Sequence, residues 1–131
     1  MHSAISIASE LKPTIYLIDA DQVILHGLSN KLSALDAQIK CFTSAESFLK
    51  EKINTHSACL LLEAHLPGLC GIDLMKCLLQ QGHNIPTIML SRKSDIPTAV
   101  RAMQAKAIDF IEKPYNEDAL LEQVEKILQQ H

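Results

Sequence analysis

The chain has 131 residues, of which 47% are hydrophobic and 21% charged, as is typical of one globular domain with a single core. Its formal net charge of −3 offers no basic surface for nucleic acid, so we expect no direct DNA contact. No apolar stretch approaches the roughly 18 residues of a membrane span. Residues 1–13 lack the basic start and apolar centre of a signal peptide, so we interpret them as a flexible leader on a cytoplasmic protein without a membrane partner.

The cysteines and histidines give no sign of a metal centre. The four cysteines, Cys41, Cys59, Cys70 and Cys77, form no CxxC pair, and each lies in an apolar context. We therefore expect buried thiols in a reducing compartment. The six histidines form no HxxxH or HExxH pair, which argues against zinc catalysis.

Five short apolar runs alternate with segments in which apolar residues recur at helical spacing. In chain order, the runs cover residues 14–18, 37–42, 58–62, 85–90 and 108–111. The first run is followed by a helical stripe between Ile24 and Leu35. After the second run, Thr43 and Glu46 have the spacing of a capping box, which predicts the start of the second helix.

The second half of the chain continues the alternation. The third run is followed by a loop and a third helix that a glycine stops. Ser94 and Asp95 can cap the fourth helix, whose apolar pattern includes Val100 and Met103. Asn116 predicts the start of the fifth helix.

Five strands alternating with five helices predict a parallel sheet covered by helices on both faces. The runs are continuously apolar, as expected when both faces of a strand are buried. Right-handed crossovers then favour a doubly wound topology. We predict an α/β fold of the flavodoxin-like (βα)5 type over residues 14–131, with a parallel five-stranded sheet in the order 2-1-3-4-5.

In that topology the carboxyl ends of strands one, three, four and five meet above the sheet. They bring together Asp19 with Asp21, Glu63, Ser91 and Lys113. Acids in this position could hold Mg²⁺ through oxygen ligands, and the lysine could neutralise a transferred phosphoryl group. Each residue alone is typical of a solvated strand end, whereas the whole set predicts a functional site.

Residues from about 14 to 130 resemble a receiver domain of bacterial two-component response regulators. The segments DIPTAVRAM (95–103) and AIDFIEKPY (107–115) are similar to receivers that precede a helix-turn-helix DNA-binding domain. The resemblance implies phosphorelay signalling, with a histidine kinase or other signalling protein as partner. It also implies a fused or separate DNA-binding output domain and control of transcription, so we expect a signalling module and not an enzyme.

The resemblance also implies roles for individual residues. Receivers accept phosphate on an aspartate that ends the third strand, a position that Glu63 holds here. Lys113 matches the lysine that coordinates the phosphoryl group. Ser91 and Phe110 match the switch hydroxyl on the fourth strand and the switch aromatic on the fifth.

Two departures from the family pattern bear on the chemistry. Ala20 stands where the family has a second acid that ligates Mg²⁺, and the alternation of a strand turns Asp21 to the other side. Asp19, Glu63 and the backbone carbonyl of His65 remain as implied ligands, so we expect a weak or absent Mg²⁺ site. The extra methylene of Glu63 moves its carboxylate by roughly an ångström, which can cost on the order of a hundredfold in rate. We therefore expect a degenerate receiver that acts independently of phosphorylation.

Several alternatives stay open from the sequence. Glu63 could reach Lys113 or Ser91 and hold a built-in active-like state, or form an ion pair with Lys113 that is only structural. A histidine kinase could still phosphorylate the domain weakly. The domain could also be a pseudo-receiver that binds a ligand or partner protein in the same crevice.

Receivers of this type use the surface formed by the fourth helix, fifth strand and fifth helix for contacts. Here that surface includes Arg101, Gln104, Lys106, Asp109 and Glu112, together with residues near Tyr115. These residues are mixed in charge, and we expect no broad apolar patch among them. A homodimer through this surface would accordingly be weak and switchable.

Overall fold

The computed structural model describes residues 12–54 and 56–130. The predicted leader, residues 1–13, lies outside these ranges except for Lys12 and Pro13, so its flexibility stays a prediction. The Pro13 carbonyl accepts a hydrogen bond from the Gln38 amide at 2.8 Å. Lys12 Nζ lies 3.2 Å from Asp36 Oδ1. In the described ranges, no helix combines the length and the apolar character that crossing a membrane requires.

Strands and helices alternate along the described chain. The strands are β1 (Thr14–Ile18), β2 (Gln38–Phe42), β3 (Ala58–Glu63), β4 (Thr87–Arg92) and β5 (Asp109–Lys113). The helices are α1 (Gln22–Leu32), α2 (Ala45–Leu49), α3 (Gly71–Gln80), α4 (Ile96–Gln104) and α5 (Glu117–Gln130). All strand pairs are parallel, and the order is β2-β1-β3-β4-β5. The predicted α/β class and flavodoxin-like topology are confirmed.

The fourth and fifth strands begin and end later than their apolar runs. Ser91 and Lys113 therefore lie within strands, and Ser91 pairs with Glu112 in the register of β4 and β5. Pro86 precedes β4, although its carbonyl still accepts a hydrogen bond from the Leu60 amide at 2.9 Å. A polar side chain ends an apolar run without ending the backbone pairing, which explains why both strands end later than their runs.

The sheet has a separate hydrophobic core on each face. Because side chains alternate along a strand, Ile15 and Leu17 pack against α1 and α5. Tyr16 and Ile18 face the opposite layer, which α2, α3 and α4 cover. There the rings of Tyr16 and Phe48 meet edge to face at 5.2 Å between centroids. Burial on both faces agrees with the continuous apolar character of the strands.

Two helix starts differ in how well the sequence predicted them. Asn116 caps α5 as expected, since its Oδ1 accepts a hydrogen bond from the Ala119 amide at 2.9 Å. The predicted capping box of Thr43 and Glu46 is wrong. Ser44 caps α2 instead, and the Glu46 carboxylate accepts a hydrogen bond from the Leu69 amide at 2.9 Å.

The outer face of α4 corrects the expectation of a surface without an apolar patch. Ile96, Val100 and Met103 are 70%, 52% and 50% exposed, and their spacing places them on one side of the helix. The buried residues of α4 are Thr98 and Ala102. The apolar spacing was therefore a correct sign of a helix, but its larger side chains face outward.

The cysteines also differ from the expectation that all four are buried. Cys41 is exposed on β2, an edge strand, and Cys70 and Cys77 are half-buried. Only Cys59, in the central strand β3, is fully buried. Desolvation raises the pKa of the Cys59 thiol to about 12, because burial disfavours the thiolate. All four thiols are free.

Candidate functional site

An open cleft of about 750 Å³ lies over the carboxyl ends of β1, β3 and β5. Five of the predicted site residues line it, namely Asp19, Asp21, Glu63, His65 and Lys113. The doubly wound topology puts these strand ends at one edge of the sheet. The order of the apolar runs in the sequence therefore predicted the position of the crevice correctly.

Lys113 joins the two acids of the crevice. Its ammonium donates to Asp19 Oδ2 at 2.6 Å and to Glu63 Oε1 in a shorter contact. Only 20% of the Lys113 side chain is exposed, and both acids are buried. One cation is thus shared by two carboxylates in a water-poor setting, where such interactions are stronger than at a surface.

The same geometry shifts the pKa of Lys113. Burial alone would lower this pKa, because desolvation disfavours the ammonium. The hydrogen bonds and charges of Asp19 and Glu63 outweigh that effect and raise the pKa of Lys113 above its ordinary value. The lysine is therefore a charged component of the site at neutral pH.

The β1 end supplies one buried acid and one exposed acid. Asp19 Oδ1 accepts a hydrogen bond from the Asp21 amide at 2.9 Å. Asp21 lies past the strand, and its Oδ1 caps α1 by accepting from the Val23 amide at 2.9 Å. Asp21 is thus committed to the helix start, and strand alternation is not what directs its side chain. Between them, Ala20 contributes no polar side-chain atom to the cleft.

Glu63 is held on both of its oxygens. Oε1 accepts from Lys113, and Oε2 accepts from the His65 amide at 2.7 Å.

The backbone at Glu63 is tightly packed against Gly71. A Cβ on Gly71 would lie 2.5 Å from the Glu63 carbonyl oxygen. The Gly71 amide donates to the Ala64 carbonyl at 2.9 Å. Glycine at 71 therefore lets the start of α3 approach the end of β3.

Ser91 is buried but belongs to a different hydrogen-bond group. Its Oγ donates to Asp95 Oδ2 at 2.8 Å, and that oxygen also lies 2.5 Å from His65 Nε2. No hydrogen bond within residues 12–54 and 56–130 joins Ser91 to Glu63 or Lys113. The structure therefore brings Asp19, Glu63 and Lys113 together, with Ser91 beside them and attached to the start of α4.

Phe110, the predicted switch aromatic, lies outside the cleft. It is half-buried in β5 and packs against the core on the α2, α3 and α4 side of the sheet. Its neighbour across the strand pair is Met89. The ring thus packs against the layer that contains α4 and is not among the residues that line the cleft.

Apart from Ala20, sequence reasoning missed the apolar wall of the cleft. This wall consists of Ala20, Ile24, Pro114 and Tyr115. Burial raises the pKa of the Tyr115 phenol, which indicates that part of the wall is shielded from water. Tyr115 directly follows the Lys113-Pro114 pair, so its closeness to Lys113 in the chain was a usable signal. Ile24 had been placed only in the buried stripe of α1.

Sequence reasoning also missed the side chains of His65 and Asp95 as partners. His65 had been considered only for its backbone carbonyl, and Asp95 only as a helix cap. They are separated by 30 positions in the chain, and neither carries a motif that signals the contact. Only the approach of the β3–α3 loop to the β4–α4 loop brings them together.

Comparison with known proteins gives a consistent family. The response regulator receiver domain model matches residues 15–125. The response regulator protein TmoT of Ectopseudomonas mendocina is 37% identical over 113 residues, which are 86% of this chain and 51% of TmoT. The transcriptional regulatory protein FixJ of Rhizobium meliloti is 31% identical over 113 residues, which are 86% of this chain and 55% of FixJ. The chain spans about half the length of these curated relatives.

A solved structure agrees with these sequence matches. The crystal structure of a response regulator receiver protein from Pseudoalteromonas atlantica is similar to this chain with a TM-score of 0.84 and 45% identity. The match covers 90% of this chain and 98% of that protein. Similarity therefore extends over nearly the whole described fold.

Proposed function

Because the chain belongs to the response regulator receiver domain family, we propose that it is a degenerate receiver in two-component signalling that works without phosphorylation. The observation that carries this proposal is the Lys113 ammonium bonded to both Asp19 and Glu63. In this arrangement, the buried acids of the site already have a counter-ion. One of the two negative charges of the site is therefore balanced by Lys113, and the carboxylate oxygens that accept from it are less available to an incoming ion.

The donor set does not fit Mg²⁺, which family receivers use at this position. Mg²⁺ prefers near-octahedral coordination by oxygen. Ala20 presents a methyl group, and Asp19 and Glu63 each use one oxygen on Lys113 and the other on a backbone amide. Within the described residues, no three His, Cys, Asp or Glu side chains are grouped so that they could hold a metal ion. These features support a weak or absent metal site.

The hydrogen bonds of the Glu63 carboxylate also support slow phosphoryl transfer. A phosphoacceptor needs a free carboxylate oxygen in line with the donor, because phosphoryl transfer depends almost wholly on positioning and electrostatics. Both oxygens of Glu63 are occupied, and the residue is buried. We infer that Glu63 stands in for the phosphoacceptor in position and not in reactivity.

Between the two roles of this carboxylate, we favour a structural ion pair over a built-in active-like state. Glu63 reaches Lys113, but the Ser91 hydroxyl donates to Asp95. An active-like state would need the switch hydroxyl to turn towards the charge at position 63. The Glu63→Gln variant tests this choice, because unchanged oligomeric state and unchanged output would eliminate the active-like state.

The partners follow from the family and from the length of its relatives. We propose a domain over residues 14–131 preceded by a flexible leader, acting in the cytoplasm as a signalling module and not an enzyme. We further propose a histidine kinase or other signalling protein as upstream partner, and a fused or separate DNA-binding output domain. FixJ is named a transcriptional regulatory protein, which supports transcriptional output. The exposed apolar side of α4 supports a homodimer through α4, β5 and α5.

A second candidate function is a pseudo-receiver that binds a small organic ligand. The cleft favours it, because Ala20, Ile24, Pro114 and Tyr115 form an apolar wall beside the charged group. Ligand sites commonly combine apolar walls with a few polar groups. The Ala20→Asp variant would place a carboxylate on this wall and weaken binding of an apolar ligand.

One experiment separates the degenerate receiver from a receiver that is still weakly phosphorylated. The protein is treated with acetyl phosphate or beryllofluoride in the presence of Mg²⁺, and intact mass and ¹H–¹⁵N chemical shifts are recorded. We expect no covalent adduct and no shift changes for the native chain. The double variant Ala20→Asp with Glu63→Asp restores both family acids and is the positive control. An adduct on Glu63 of the native chain would support weak phosphorylation and overturn the proposal.

A further inference from the structure

A continuous set of contacts links the site to the start of α4. The His65 backbone amide donates to Glu63 Oε2 at 2.7 Å. The imidazole of the same residue lies with Nε2 2.5 Å from Asp95 Oδ2. Asp95 immediately precedes α4, which begins at Ile96. One residue, His65, therefore contacts Glu63 through its main chain and Asp95 through its side chain.

The Asp95 carboxylate bonds side chains on both sides of this link, those of His65 and Ser91 and that of Thr98 in the first turn of α4. It occupies the cap position of α4 but makes no side-chain hydrogen bond to the helix amides. Its oxygens accept from His65, Thr98 and Ser91 instead, and these bonds, with His65 the largest contributor, lower the pKa of Asp95. Since a carboxylate can only accept hydrogen bonds, Nε2 of His65 carries the proton between the two groups.

The remainder of α4 makes few buried apolar contacts. Its buried residues are Thr98 and Ala102, both small, whereas Ile96, Val100 and Met103 are exposed. A helix with few buried apolar contacts lies at the low end of local stability. Its position therefore depends strongly on the contacts at its first turn, where Asp95 is held by His65 and Ser91.

We propose that His65 is a positioning residue that couples the charge at Glu63 to the placement of α4. This inference rests on the proposed function, because it assigns the regulation of the same site. When Lys113 and Glu63 are paired, the His65 amide is held and its imidazole fixes Asp95. A partner or ligand that changes the Glu63 contacts moves the β3–α3 loop, releases Asp95, and frees α4 with its apolar side.

The experiment measures α4 directly by amide hydrogen exchange and ¹H–¹⁵N shifts. We expect His65→Ala to speed exchange in α4 on the order of tenfold, as loss of one charged hydrogen bond implies, with α1 and α5 unchanged. His65→Gln keeps a side-chain donor and should restore most of the protection. His26→Ala, an exposed histidine on α1, is the matched control and should leave α4 unchanged.

Coupling is tested by a double-mutant cycle. Glu63→Gln should shift α4 resonances in the native background and leave them nearly unmoved in the His65→Ala background. Equal α4 shifts in both backgrounds, or α4 exchange unaffected by His65→Ala, would overturn the inference. If His65→Ala does not fold, the same cycle with Asp95→Asn in its place decides the question. The phosphoryl adduct is measured in a separate experiment. Absence of the coupling would therefore leave the degenerate-receiver proposal intact, and detection of an adduct would leave the coupling measurement valid.

Discussion

Lys113 and Glu63 lie 50 positions apart in the chain, yet the ammonium of one donates directly to the carboxylate of the other. The contact places the end of β5 against the end of β3 across the intervening strand β4. Asp19 at the end of β1 shares the same ammonium. The Lys113 side chain therefore connects three strand ends, which gives this candidate site residue a structural role as well.

Removal of the shared cation should destabilise the fold. Lys113→Met leaves two buried carboxylates side by side without a counter-ion, and breaking such a pair costs about 3 kcal/mol. We expect a fall of this order in the free energy of unfolding, measured by urea denaturation at pH 7. Lys31→Ala removes a half-buried lysine paired with the exposed Asp118 and should change little, because a pair at the surface contributes little. Equal effects of the two variants would contradict the structural role of Lys113.

The stability at acid pH should depend on Asp95. Its pKa is lowered in the folded state, mainly by the hydrogen bond from His65, so its contribution to stability is fully present above the unfolded value of about 3.9. That contribution is lost as pH falls through the folded pKa. We expect Asp95→Asn to flatten the loss of stability below pH 4, measured by thermal unfolding between pH 2 and 7. An unchanged slope would refute the link.

Gly71 should tolerate no side chain. Its Cβ would lie 2.5 Å from the Glu63 carbonyl oxygen and 3.0 Å from Ala64 Cα, so Gly71→Ala forces a backbone shift that costs about 1–3 kcal/mol. Gly27→Ala is the matched control, because its nearest atom would be 3.9 Å away. In the interior of α1 this change should be neutral or stabilise by about 0.5–1 kcal/mol. Chemical denaturation of both variants measures the contrast, and similar stabilities would show that the approach of α3 to β3 is not constrained.

The four thiols should react in order of exposure. Cys41 is an exposed residue, although partial burial of its thiol also raises its pKa, whereas Cys59 is fully buried with its pKa raised to about 12. Because the thiolate is the reactive form, a disulfide reagent at pH 8 should modify Cys41 in the native protein and reach Cys59 only after unfolding. Peptide mass spectrometry identifies the modified cysteine. Modification of Cys59 at the rate of Cys41 would mean that β3 opens readily.

The spacing of apolar residues along the chain is enough to predict most of the fold. Runs of apolar residues located every strand to within a few positions, and their order was enough to deduce the sheet topology and the crevice above it. Asn116 was recognised as a helix cap because its side-chain bond reaches only three residues along the chain. Strands and this helix cap depend on residues that are close in sequence, so the order of residue types is enough to predict them.

The start of helix α2 was mispredicted, although its cap also depends on residues that are close in sequence. Thr43 and Ser44 are both able to cap α2, and the spacing to Glu46 favoured the wrong one. The structure shows that Glu46 is drawn away by the Leu69 amide, a partner 23 positions distant. A distant acceptor or donor can thus overrule a local motif.

By itself the sequence determined the fold family, the strand order and the presence of Glu63, Ala20 and Lys113 at the strand ends, because these follow from residue type and spacing. Tertiary structure alone decided which partners the polar groups take. It pairs Lys113 with two acids, turns the Ser91 hydroxyl to Asp95, brings the His65 imidazole to the start of α4 and leaves Met103 outward. The physical reason is that a hydrogen bond needs its atoms within about 3 Å, and loop paths and packing place such atoms together where no sequence period encodes the distance.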